Sequence, residues 1–227
     1  MRLKTDTETP ENKTASDSRL LSDILKLYLI TDRTLFQAQC SMYLALESAL
    51  KAGVKSIQLR EKHLPTRKLL HMAKWVSELT KEYGAKLFIN ERIDIALAVE
   101  AEGVQLGQKS LPAHAVRKIS GDKLLIGAST HSIEEAINAE RDGADFITLG
   151  PIYRTPSKRR YGDPIGTDII KKVRTEVSIP VLAIGGIGLH NVNEVMAAGA
   201  DGIAVISAIL AARDIEGVTK ELLRILK

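Results

Sequence analysis

The sequence predicts an α/β fold of the (β/α)8 class, a TIM barrel, on three grounds. Eight short β-type runs recur along the chain, longer stretches of helical period separate them, and no GxGxxG follows the first run. A strict β-then-α alternation implies a parallel sheet. Eight such units in roughly 200 residues fit the compact end of the barrel's size range. The rival, a doubly wound nucleotide-binding sheet, carries its glycine fingerprint at the first turn.

In chain order the strands are LYLIT (27–31), KSIQL (55–59), KLFIN (86–90), GVQL (103–106), LLIGA (124–128), DFITL (145–149), PVLAI (180–184) and GIAVI (202–206). Helices are expected near 40–53, 66–83, 93–101, 112–119, 132–142, 166–177, 190–198 and 207–226. Within 66–83, Leu69, Leu70, Ala73, Val76 and Leu79 form an apolar stripe between charged residues. KAGVKSI, AEGVQL, DGADFI and AAGADGI each place a glycine just before a strand. Such a glycine supplies the left-handed turn that returns the chain from helix to sheet, so these four are expected to be structural. Residues 1–23 are polar with almost nothing to bury and read as an extension. Residues 24–227 then form one barrel domain.

The 227 residues are 44% hydrophobic and 26% charged, an ordinary globular balance with ample length for one core. Collagen-like, disulfide-stapled and wholly disordered classes are excluded. Cys40 is the single cysteine, so neither an internal disulfide nor a thiolate metal cluster can form. The longest apolar runs, such as 203–212 with Ser207 inside it, stop far short of the ~20 residues a membrane span needs. The first residues lack the apolar core of a secretory signal, so the cytoplasm is the expected location. A net charge of +4 is too mild to indicate nucleic acid unless it is clustered.

In this fold the active site is built at the carboxyl ends of the strands. The residues following each run are therefore the candidates: Gln58, Arg60, Glu61 and Lys62 after the second; Asn90, Glu91 and Arg92 after the third; Gly107, Gln108 and Ser110 after the fourth. The fifth run leads to Ser129, Thr130 and His131, and the sixth to Gly150, Thr155, Ser157 and Lys158. AIGGIG (183–188) after the seventh and Ser207 after the eighth have the makeup of a phosphate site, because glycine lets backbone N–H groups approach an anion closely. RTPSKRR (154–160) adds Arg154, Lys158, Arg159 and Arg160 beside it, and Arg60 with Lys62 brings two more cations. So much positive charge on one face fits two anionic groups better than one. His131 reads either as a proton-transfer residue or as a structural residue at a helix start. His63, His71, His114 and His190 lie outside any metal-ligand spacing.

QLREK (58–62), NERIDIA (90–96), GVQLGQ (103–108), GASTHS (127–132), GADFITLGPIYRTPSK (143–158), AIGGI (183–187) and GADGIAVISAI (199–209) resemble, in order, the thiamine-phosphate synthase/thiazole tautomerase family of (β/α)8 barrels. The resemblance implies a transferase that condenses hydroxymethylpyrimidine diphosphate with thiazole phosphate. It implies that Gln58, Arg60, Lys62, Asn90, Ser129 and Lys158 hold the pyrimidine diphosphate, and that Thr155, Ser157, Gly186, Ile206 and Ser207 hold the thiazole phosphate. Arg60, Lys62, Ser129, His131 and Lys158 are the implied catalytic set. The family's Mg²⁺ site has two aspartates, where this chain has Glu91 and Ser110. One carboxylate is thus kept, one methylene longer, and the second is lost. A serine there also resembles the tautomerase branch, which needs no metal and would use His131 as proton shuttle. A catalytically silent phosphate-binding barrel is a third reading. The implied partners are small molecules, a homo-oligomer is compatible with the sequence, and neither nucleic acid nor membrane is expected.

Overall fold

The computed structural model describes residues 21–36, 39–155 and 163–227. Eight parallel strands close into a barrel in chain order: β1 (Leu27–Ile30), β2 (Ser56–Leu59), β3 (Lys86–Asn90), β4 (Gly103–Leu106), β5 (Leu125–Thr130), β6 (Phe146–Leu149), β7 (Val181–Ile184) and β8 (Gly202–Val205). β1 pairs with both β2 and β8, so the sheet has no free edge. The helices α1 (Gln39–Lys51), α2 (Thr66–Glu82), α3 (Ile93–Ala98), α4 (Ala113–Ser120), α5 (Ile133–Arg141), α6 (Asp168–Glu176) and α7 (Val192–Ala197) follow the first seven strands. The (β/α)8 expectation holds throughout. No helix among the described residues is long and apolar enough to cross a membrane.

Two local expectations are corrected. The helix expected over 207–226 is two helices, α8 (Ser207–Leu210) and α9 (Ile215–Ile225). Asp214 makes the break: its backbone is outside the helical region and its side chain accepts the Gly217 N–H, capping a new helix. The second correction concerns the glycines before strands. Gly53, Gly143 and Gly199 take positive φ as expected, but at the fourth site the left-handed residue is Glu100, at φ 52°, immediately before AEGVQL (101–106). Gly103 instead opens β4, where a Cβ would lie 2.7 Å from the Phe88 ring.

That contact belongs to the barrel interior. Tyr28, Phe88 and Phe146 are fully buried and meet edge to face, with ring centroids 5.2 to 5.7 Å apart. Gly103 and Gly127 leave room for them, since a Cβ on Gly127 would collide with Phe146 and with the Gln105 side chain. Residues 21–25, which the sequence reading divides between extension and barrel, are helical, and Leu21 and Ile24 pack on this interior cluster. On the outside, Leu69, Ala73, Val76 and Leu79 of α2 are buried as the apolar stripe requires, while Leu70 is only half-buried.

A repeated latch joins the α4 and α6 arms to the sheet. Asp145 accepts the Ile126 N–H and an Arg117 N–H, both at 2.7 Å, and Asp201 accepts the Val181 N–H at 2.8 Å beside Arg174. Each aspartate follows a pre-strand glycine by two residues, so the sequence repeat is a structural one.

Glu100 is a left-handed non-glycine residue whose exposed side chain makes one loose ion pair, 3.7 Å from Lys81, of the kind that contributes little. Glu100→Gly is therefore expected to stabilise the fold by about 1 kcal/mol, because glycine carries no steric penalty there. Urea unfolding measures this, and a loss of stability would contradict the assignment of strain to this residue.

Candidate active site

The carboxyl ends of the strands bring their polar residues to one rim, beginning with a node between β1 and β2. Thr31 Oγ1 donates to Glu61 Oε1 at 2.8 Å and accepts the Arg60 N–H at 3.0 Å. Glu61 also accepts the Arg33 N–H at 3.1 Å, and its second oxygen lies 3.6 Å from Arg33 Nε. Burial pushes the Glu61 carboxyl above its usual value, against the hydrogen bonds from Thr31 and Arg33. Glu61 is thus a structural acid that sets the course of the Gln58–Lys62 segment, holding the backbone from which Arg60 and Lys62 project.

Next along the rim, Gln58 Nε2 donates to Asn90 Oδ1 at 3.0 Å, joining the ends of β2 and β3. Gln58 is buried and Asn90 half-buried. Glu91 follows in the left-handed region at φ 62°, its N–H held by Gln105 O. Strain of this kind in a non-glycine residue persists where surrounding structure enforces it, as at binding sites. The turn brings the Glu91 carboxylate 3.8 Å from Lys62 Nζ and against Gly107, where a Cβ would lie 2.6 Å from Glu91 Oε1 and 3.6 Å from Ser110 Oγ. Ser110 Oγ in turn accepts the Gly107 N–H. The two positions of the expected metal site therefore converge on one glycine, with a cation alongside.

Ser129, at the end of β5, accepts hydrogen bonds from Gln105 Nε2 at 3.2 Å and Thr148 Oγ1 at 3.4 Å. Both acceptor directions are thereby used, and its own proton is left to give to an oxygen above the rim. Gln105 Oε1 is buried and has no hydrogen-bond partner among the described residues. His131 stands at the start of α5, where Ser132 caps the helix by accepting the Glu135 N–H. Glu135 Oε2 accepts the His131 backbone N–H at 2.6 Å and lies 3.0 Å from His131 Nδ1, while Gln108 Nε2 reaches both Glu135 and Ser129 O. Glu135 thus fixes both the backbone and the ring of His131 at the helix start, a placement that fits either reading of this residue.

The opposite side of the rim is built of glycine. A Cβ on Gly185 (φ 104°) or Gly186 (φ 65°) would run into Pro151 or into Tyr153 and Arg154 O, so only glycine lets these backbones touch. Asn191 bridges the turn, accepting the Gly188 N–H and donating to Gly186 O. Tyr153 donates to Glu194 at 2.7 Å and Thr167 donates to the other oxygen of that carboxylate, pinning the start of the connection after β6. Burial, and then the Glu194 bond, pushes the Tyr153 hydroxyl up to about 12. Gly188 lies against Ala208, which brings the loops after β7 and β8 together, with Ile206 half-buried and Ser207 exposed at the start of α8.

The expected residues Gln58, Arg60, Lys62, Asn90, Glu91, Ser110, Ser129, His131, Thr155, Gly186, Ile206 and Ser207 thus all sit at strand ends or on the loops that follow. Ser157, Lys158, Arg159 and Arg160 lie outside the described residues. Among the described residues no group of three or more His, Cys, Asp or Glu side chains forms a metal cluster. Sequence reasoning overlooked Thr31, Gln105, Thr148 and Glu135. The signal was present for Gln105 and Thr148, which are polar residues in short apolar strands.

Residues 27–209 match the family model described as thiamine monophosphate synthase. The chain is 46% identical over 200 residues to a thiamine-phosphate synthase from Clostridium novyi, covering 88% of this chain and 98% of that protein. It is 45% identical over 203 residues to one from Pyrococcus horikoshii, covering 89% and 95%. The solved thiamine phosphate pyrophosphorylase from Pyrococcus furiosus superposes with a TM-score of 0.82 at 42% identity, covering 91% of this chain and 97% of that one. Matches of this extent in both sequence and fold have one reading: the chain belongs to the thiamine monophosphate synthase family.

Proposed function

We propose that this chain is a transferase that joins hydroxymethylpyrimidine diphosphate to thiazole phosphate, releasing diphosphate and forming thiamine phosphate. The observation that carries the reading is the meeting of Glu91 and Ser110 at Gly107, with Lys62 Nζ 3.8 Å from the Glu91 carboxylate, across the ends of β2, β3 and β4. A cation, a carboxylate and a hydroxyl in one place suit a diphosphate that arrives with Mg²⁺.

In the reaction the C–O bond from the pyrimidine methylene to diphosphate breaks, the diphosphate takes the electron pair, and the thiazole nitrogen forms the new C–N bond to that methylene. No water or oxidant is consumed. Negative charge grows on the departing oxygens, so donors aimed there favour the transition state over the ground state. Arg60, Lys62 and Lys158 supply positive charge, and the Ser129 hydroxyl, which accepts from Gln105 and Thr148, donates a hydrogen bond to the leaving oxygens. Gln58 and Asn90, already bonded to each other, present a fixed polar edge to the pyrimidine ring. The thiazole phosphate is taken by the glycine turn at Gly186, with Thr155 on one side and Ile206 and Ser207 on the other; the role expected of Ser157 falls outside the described residues. Glu91 and the Ser110 hydroxyl, completed by diphosphate oxygens, are a donor set that fits Mg²⁺, which when bound neutralises charge on the leaving group.

The tautomerase alternative rests on His131, which Glu135 holds in the cap of α5. The relatives in hand carry the synthase name.

Incubating the purified chain with both substrates decides between the two activities: thiamine phosphate forms with Mg²⁺ and not with chelator, whereas a metal-independent isomerisation of a carboxythiazole phosphate would overturn the proposal. Lys158→Ala is expected to lower kcat by about 10²- to 10³-fold, as loss of one charge-stabilising donor does; an unchanged kcat would remove Lys158 from the leaving-group role. Ser110→Asp restores the second carboxylate and is expected to lower the Mg²⁺ concentration needed for half-maximal rate by about tenfold. An unmoved Mg²⁺ dependence would place the metal elsewhere. Gly186→Ala puts a methyl at 2.9 Å from Arg154 O and Tyr153 Cβ. It should raise the KM for thiazole phosphate far more than that for the pyrimidine substrate, and equal effects on both would contradict its placement.

A further inference from the structure

A cavity lies outside the barrel wall, between α1 and α2, with a volume of about 810 Å³. None of its lining residues belongs to a strand, and none is among the rim residues described above except Arg33, which stands beside Glu61. The size falls in the range of small-molecule sites, roughly 300 to 1,000 Å³. Its apolar lining comes from Phe36, Met42, Leu64, Met72 and Trp75. Two methionines in such a lining give a surface that adapts to irregular shapes. Among the described residues its charged lining is Arg33, Lys68 and Lys74, with His71 beside them and Glu78 as the one carboxylate. The Trp75 indole N–H is buried and has no hydrogen-bond partner among the described residues, a group that a ligand acceptor would satisfy.

We propose that this cavity is a second ligand site, separate from the catalytic rim, that takes a small amphipathic organic anion: an apolar ring or short chain bearing one carboxylate or sulfonate. The apolar lining takes the body of such a ligand. The excess of cations takes its charge, and an ionic hydrogen bond there is stronger than a neutral one. The occupant is a small molecule rather than a second copy of this chain because the lining is concave and carries three basic side chains against one acid. The site does not depend on the synthase reading.

Trp75 is the only tryptophan in the chain, so its emission reports on this cavity alone. The test titrates anilinonaphthalene sulfonate into the full chain saturated with inorganic diphosphate, which occupies the anion site on the rim. Saturable quenching of Trp75 with energy transfer to the dye is expected, and Lys68→Glu should weaken it by about tenfold. The uncharged analogue phenylnaphthylamine should bind about tenfold more weakly than the sulfonate, a comparison that needs no variant. Silence of Trp75, equal affinity for the neutral dye, or a dye affinity that rises when the diphosphate is left out would overturn the proposal. So would Trp75 emission that follows protein concentration without dye, since a second copy would then cover the cavity.

Discussion

Closure of eight parallel strands forces every carboxyl strand end onto one rim, and the rest of this molecule depends on that constraint. The closure in turn rests on a filled interior. Three aromatic rings occupy the barrel, and they fit because Gly103 and Gly127 give up their side chains to them. Above that layer the interior turns polar: Gln105, Thr148 and Ser129 form a hydrogen-bonded cluster directly beneath the rim. The transition from ring layer to polar layer is where a packed core becomes a binding floor.

The rim separates its acids by role. Glu61 is buried, its Oε1 accepts hydrogen bonds from Thr31 and the Arg33 N–H, and its other oxygen pairs loosely with the Arg33 side chain, which makes it a fixture of the loop rather than a ligand. Glu91 is half-exposed, carried on a strained left-handed residue, and balanced by Lys62. A carboxylate held in that way can exchange its partner when an anion with a metal arrives. The glycine turn opposite has no such charge and relies on close backbone approach. The two halves of the rim thus differ in chemistry, as the two substrates of the proposed reaction do.

Most of this architecture was legible in the chain. The alternation of apolar runs with helical stretches placed all eight strands, and the strand-end rule then pointed to Gln58, Arg60, Lys62, Asn90, Glu91 and Ser129 before any geometry was known. What stayed hidden needed register. Gly103 looked like the glycines of the other repeats because it too precedes a strand, and only the Phe88 ring reveals that its smallness serves the interior. The break between α8 and α9 was masked by apolar residues that continue the helical period across Asp214. Thr31 and Glu135 act through partners distant in sequence or one helical turn away, so neither reads as a site residue alone. Gln105 and Thr148 were visible as polar intrusions in apolar strands, a signal overlooked because the strands are only four residues long.

The central claim is that the β2–β4 side of the rim is built to receive a departing diphosphate together with Mg²⁺. Calorimetric titration of the chain with inorganic diphosphate tests it most directly. Binding should be about tenfold or more tighter with Mg²⁺ than without it, and Arg60→Ala should weaken the metal-assisted binding to a similar degree. A diphosphate affinity indifferent to both Mg²⁺ and Arg60 would contradict it.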